Sequence, residues 1–329
     1  MTIAPRYLIA AFVIAFLSGL SWGQDDRLSV RDFGALGDGV SEDTAAVAKA
    51  IAAAAKLGGA TVVFPKGEYL TGSIQLEDKL TLRFEKGATL RLMDGSGGAG
   101  RESVVSISGK KDVLLEGEGV LKGSARSGLL RVVDSERVAI RGLSFETGGT
   151  QGDGISLKDS REVRIENCLV KGGKKAIWIG GSRNVGLSGV SIEGAVAALE
   201  IGDTSGIRVS QLRATSETGL SCRLAMDVEL VDVRIDSKAG PQFLFMESRS
   251  VVLDAIGSSE RSSEPIVSAH DVIGLRLSNC QAESGTKTFL QVLGSQSSGI
   301  VMSGNELSQA RAPIMVGPDV PDGRVIGAE

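Results

Sequence analysis

The chain has 329 residues, of which 44 are glycine and 7 proline, with 42% hydrophobic and 4% aromatic residues. Its formal net charge is −4, and no basic or basic-aromatic stretch occurs, which leaves nucleic-acid binding without support. A single histidine, His270, excludes a multi-histidine metal site and any Ser-His-Asp site not centred on it; three scattered cysteines lack metal-ligand spacing, so no metal or other cofactor is implied.

The first residues, "MTIAPRYLIAAFVIAFLSGLSWGQ", carry Arg6, an apolar run from Leu8 to Leu20, and small residues at Ser21 and Gly23. This is the layout of a secretory signal over 1–23, with cleavage near Gly23–Gln24. The run is shorter than the roughly 18–20 residues that span a bilayer, so an uncleaved anchor is the lesser alternative. The expected mature protein, 24–329, is secreted or periplasmic, without a stable membrane span.

Residues 24–108 are expected to form a capping helix and the first coils of a repetitive fold. "GALGDG", Gly34 to Gly39, reads as a turn, because no βαβ unit surrounds it to make a nucleotide site. Ser41 or Asp43 then caps an alanine-rich helix that stops at Gly58–Gly59, and two strands follow, "ATVVFP" and "LTLRFEKGATLRL". Such a helix would cover the open end of a solenoid.

Across 109–329 one pattern recurs. First strands begin at Val113, Val138, Val163, Val185, Ile207, Val228, Val251, Leu275 and Ile300, at steps of 21–25 residues. About a dozen residues after each comes a second strand, as in "GISLKD", "AIWIGG" and "ALEIGD". The period predicts an all-β solenoid of ten or more coils rather than a leucine-rich repeat, whose Leu/Asn skeleton is missing. Stacked coils pair as parallel strands about 4.8 Å apart. Asn167, Gln211 and Asn279 recur at one turn, compatible with a partial amide ladder.

Alternation along the second strands points Ile155, Leu157, Ile177, Ile179, Leu199, Ile201, Leu220, Cys222 and Leu224 inward. Ser156, Trp178, Glu200, Ser221, Arg223, Phe245, Ser268 and His270 then face outward. Cys168 and Cys280 hold one place in coils five apart, roughly 24 Å from each other by the strand spacing, beyond disulfide reach. All three cysteines are predicted to be buried free thiols.

"VRDFGALGDGVSEDTAAVAKAI" followed by "GGATVVFPKGEYLTGSIQL" closely resembles the opening of the pectate lyase-like superfamily. The likeness is nearest to polygalacturonases (glycoside hydrolase family twenty-eight) and rhamnogalacturonan-acting relatives, and with the repeats it covers nearly all of 24–329. It implies a single-stranded right-handed parallel β-helix that handles acidic polysaccharide or oligosaccharide in a groove along one sheet; a monomer is expected. The family places Asn-Thr-Asp-Gly, Gly-Asp-Asp, Gly-His-Gly and Arg-Ile-Lys on successive second strands. Here the first motif keeps only Asp153 and Gly154. Lys174 and Lys175 stand where the acid pair belongs, Val196, Ala197 and Ala198 replace Gly-His-Gly, and Ser221 and Arg223 stand in the fourth.

The candidate catalytic carboxylates are therefore Asp153 and Glu200, and the candidate sugar-binding residues are Lys174, Lys175, Trp178, Arg223 and Phe245. Each has a structural alternative: a turn hydrogen bond for Asp153, solvated turn charges for the lysines, packing under a loop for Trp178, and a Glu200–Arg223 ion pair. Three function classes follow. One is an inverting hydrolase, whose carboxyls need to be roughly 6.5–9.5 Å apart. Another is a lyase with Lys175 or Arg223 as base. The last is a sugar-binding or purely structural solenoid with a degenerate polygalacturonase site.

Overall fold

Computed structural coordinates describe residues 27–93, 103–124, 126–259 and 263–327. The leader expected at 1–23 lies outside the described residues, and among these no helix is long and apolar enough to cross a membrane. The leading apolar residues of the first strands stack as the period requires, with Val113, Val138, Val163, Val185, Ile207, Val228, Val251 and Leu275 in continuous parallel register. The chain winds as a parallel β-solenoid of about 11 turns.

Each turn feeds three stacks. In one coil these are Glu136–Arg141 in the first sheet, Ser144–Glu146 in the second and Ile155–Lys158 in the third. The corner from third to first sheet is turned by a column of left-handed residues, Asp134, Asp159, Asp203, Leu224, Glu247 and Asp271, with φ between 48° and 53°. Short polar side chains tolerate that conformation because they can bond their own backbone locally. Asn167, Gln211 and Asn279 are left-handed too, each at φ 52°, and turn the corner from first to second sheet. A hydrogen-bond ladder runs instead through buried serines. The Ser135 N–H donates to Ser160 Oγ and the Ser160 N–H to Ser182 Oγ, each at 3.1 Å.

A helix, α1 (Thr44–Lys56), lays Val47, Ala50, Ile51 and Ala54 on Val30 and the first coil, burying the end of the stack. Asp43 is its N-cap residue but makes no side-chain cap bond. Its carboxylate accepts from the Leu36 and Gly37 N–H groups at 2.7 and 3.0 Å, pinning the glycine-rich turn.

Two inward–outward assignments are corrected. Phe245 is 0% exposed and pairs in register with Cys222, so it belongs to the core and not to the groove. In "FLF" either parity buries an aromatic or a leucine, and the structure buries both phenylalanines and turns Leu244 out. Leu224 is 49% exposed because it sits at the left-handed corner, one residue past the strand that ends at Arg223.

The cysteines are free and buried. Burial pushes the thiols of Cys168 and Cys280 up to about 11 and that of Cys222 up to about 12. A disulfide-exchange reagent is expected to titrate none of them in the native protein at neutral pH and all three after denaturation, since the thiolate is the reactive form.

Candidate functional site

The outer face of the third sheet carries two columns. One runs Ser156, Trp178, Glu200, Ser221, Leu244, Ser268; the other runs Lys158, Gly180, Gly202, Arg223, Met246, His270. Arg223 therefore stands beside the Trp178–Glu200 column and not within it. In the coils Ser191–Gly202, Ser205–Arg223 and Met226–Met246 the strand runs unbroken from the second sheet or earlier into the third. Loop 147–154 precedes the third-sheet strand Ile155–Lys158 two coils below the first of these, and non-strand residues 263–266 precede Val267–His270 in the coil above the last. In the three unbroken coils no loop separates the second sheet from the third.

Asp153 ends this loop, and Gly154 follows for a steric reason. A Cβ at Gly154 would lie 2.3 Å from the Ala176 carbonyl oxygen of the next coil. The surviving Asp-Gly pair is thus accounted for in part by coil packing. Burial raises the Asp153 carboxyl above its ordinary value; Lys175 and Lys174 oppose the shift and Glu200 adds to it. These four groups share one electrostatic neighbourhood.

Within it, Lys175 Nζ lies 2.6 Å from Glu200 Oε2 and 5.7 Å from the centre of the Trp178 ring. That is an ion pair under a cation–π contact. Lys174 is exposed and pairs with no carboxylate among the described residues. The expected Glu200–Arg223 pair does not form: Arg223 Nε and Nη2 donate to Glu247 Oε1 at 3.2 and 3.0 Å. His270 is exposed beside Asp271, two coils beyond Arg223.

The indole of Trp178 lies over Gly180, where a Cβ would meet Trp178 Cζ2 at 2.5 Å. Beside it opens a slot of about 520 Å³ lined by Lys158, Gly202, Arg223 and Leu224 among others. The sequence reading does not single out Lys158, Gly180 and Gly202, and it assigns Leu224 to the core. Extending the alternation two residues beyond Ser156, Trp178 and Glu200 reaches the first three; Leu224 follows only from the corner geometry.

The arrangement is a sheet-borne groove with an aromatic plate, a carboxylate held by an ammonium, and an exposed lysine near Asp153 that forms no ion pair among the described residues. It defines a parallel β-solenoid with a polar groove on the outer face of its third sheet. The right-handed beta helix region family matches residues 127–316, and the chain belongs to that family, within the pectate lyase-like superfamily. Residues 28–99 match the family described as rhamnogalacturonase A/epimerase, pectate lyase-like. Plasmin and fibronectin-binding protein A of Streptococcus pneumoniae is 29% identical over 179 residues, which is 45% of this chain and 24% of that protein. The chain thus spans about a quarter of the length of that curated relative. Among solved structures, the A-module of mannuronan C-5 epimerase AlgE6 from Azotobacter vinelandii superposes with a TM-score of 0.65 at 16% identity, covering 92% of this chain and 99% of that one. The family 28 exopolygalacturonase of Yersinia enterocolitica gives 0.56 at 15% identity, covering 90% and 78%. These superpositions establish the fold.

Proposed function

We propose that this is an exported protein that binds acidic, uronate-containing polysaccharide along its third sheet and does not hydrolyse it. The carrying observation is the Trp178 ring, backed by the Lys175 ammonium and open to a groove, with Lys174 exposed near Asp153 and in no ion pair among the described residues. A flat indole stacks on the C–H face of a pyranose, and a free ammonium attracts a uronate carboxylate. The names of two structural neighbours, a polygalacturonase and a mannuronan epimerase, support a uronate polymer as ligand.

Hydrolysis needs two carboxyls free to act on one bond, and here Lys175 occupies Glu200. Elimination needs an unprotonated base, and both candidate cations, Lys175 and Arg223, are engaged by glutamates. One observation favours a residual hydrolase: the raised Asp153 carboxyl suits a general acid. Incubation of the full chain with polygalacturonate, mannuronan and rhamnogalacturonan separates the two. The expected result is retarded migration in polysaccharide-containing gels, with neither new reducing ends nor the ultraviolet absorbance of an unsaturated product. Release of reducing ends that Asp153→Asn abolishes would establish the hydrolase instead.

A further inference from the structure

We infer that the outer face of the first sheet holds a site for a tetrahedral oxyanion, a phosphate or sulfate group, seated over Gly186 among Arg164, Arg183 and Arg208. It lies on a different sheet from the Trp178 groove and does not depend on the function proposed for that groove.

Gly186 is the first observation. It stands within the first-sheet strand Arg183–Ser188, facing outward between the buried Val185 and Leu187. Its φ is not left-handed, and a Cβ built on it meets nothing within 4 Å. Neither the backbone nor packing calls for glycine, which costs conformational entropy in a strand. The same column carries Leu114, Ala139, Val252 and Val301 in other coils, so the sheet accepts side chains there. A strand glycine of this kind marks a place where something approaches the backbone closely.

Charge is the second. Arg164 and Arg208 are the register neighbours of Gly186 in the coils below and above, about 10 Å apart at the strand spacing. Arg183 begins the strand that holds Gly186 and stacks directly on Arg161. Like charges in direct register destabilise a sheet unless something offsets them. Glu136 offsets Arg161, with Oε2 2.5 Å from Nη2, and Glu229, in the coil beyond Arg208, lies 3.3 Å from Arg208 Nε. Arg164 and Arg183 are exposed and form no ion pair among the described residues. Of the acids beside them, Glu166 is held by Arg141 at 2.9 Å, and Glu162 sits at a left-handed corner in the field of Arg161 and Arg137.

The shape of the cluster selects the anion. Three guanidiniums, each a planar fork of N–H donors, rise around one bare point of the sheet. A single carboxylate brings one charge and two oxygens, enough for one fork. A phosphate or sulfate brings up to two charges and enough oxygens to accept from several forks at once. Ser188 and Ser210, hydrogen-bonded to each other at 3.2 Å, add hydroxyls farther along the same two strands.

The test titrates the full chain with inorganic phosphate at fixed ionic strength and follows the broadening of the phosphorus NMR line. Broadening that sulfate reverses and acetate does not is the expected result. Gly186→Val keeps every charge; it should weaken phosphate binding about tenfold and leave the thermal midpoint unchanged or higher. Arg183→Gln should cost about tenfold as well. Arg276→Gln, a charge-matched control in the same column between Val252 and Val301, should cost less than about twofold. Where Gly186→Val lowers the midpoint, Arg164→Gln takes its place with the same expected loss. Phosphatidylcholine vesicles with and without phosphatidate distinguish the source of the group. Sedimentation with the phosphatidate vesicles alone, lost in Gly186→Val, assigns it to a lipid headgroup; phosphate binding without sedimentation assigns it to a soluble ion, and both support the site. Phosphate binding unchanged by Gly186→Val and Arg164→Gln, equal losses in Arg183→Gln and Arg276→Gln, equal reversal by acetate, or no binding of any phosphate overturns it.

Discussion

Phe245→Ala is expected to destabilise the protein by about 3–5 kcal/mol, and Leu244→Ala by less than about 1 kcal/mol. The two residues are adjacent, yet the solenoid gives them opposite surroundings. Phe245 is fully buried between Cys222 in the coil below and Ala269 in the coil above. Two small side chains leave the space the phenyl ring fills, and neither can expand into it when the ring is removed. The cavity therefore stays open, and its cost adds to the lost transfer energy. Leu244 faces out between Ser221 and Ser268 and gives up little. Urea midpoints followed by circular dichroism compare the pair directly. Equal losses, or a larger loss at Leu244, would restore the outward assignment of Phe245. Each coil is supported by its neighbours, so the damage should be greatest around Met226–Met246.

That contrast marks where sequence reasoning succeeds and where it stops. Period and alternation carry the solenoid, the stacked valines and the buried cysteines, because one repeated burial rule governs all of them. Phe243–Leu244–Phe245 satisfies the rule in either parity, and only the register with Cys222 and Ala269 decides. Corners pose another difficulty: Leu224 follows alternation up to the residue where the chain turns left-handed, and there its inward prediction fails. In the groove, Asp153, Lys175, Trp178 and Glu200 gather on neighbouring coils, as the repeat implies. Their pairing was out of reach, because the choice of Lys175 rather than Arg223 as the partner of Glu200 depends on side-chain reach across coils. That choice makes Glu200 a structural counter-ion to the lysine under the indole and leaves Arg223 to Glu247.

The second large effect concerns Trp178. Its ring is the largest side chain of the open columns, and Gly180 is shaped to let it lie flat. Removing it takes away the stacking plate and uncovers the Lys175–Glu200 pair to water. Aromatic anchors of this kind cost about 2 kcal/mol or more when truncated, roughly thirtyfold in affinity. Because the side chain is only partly buried and the strand is held by Ile177 and Ile179, the fold should survive the change. The direct measurement is calorimetric titration of the full chain and of Trp178→Ala with a galacturonate oligomer, with the unfolding temperature of both recorded. Saturable binding by the parent, lost about thirtyfold or more in a variant of unchanged unfolding temperature, is the predicted result. Equal affinity in the two proteins, or consumption of the oligomer during the titration, would contradict a binding groove centred on Trp178.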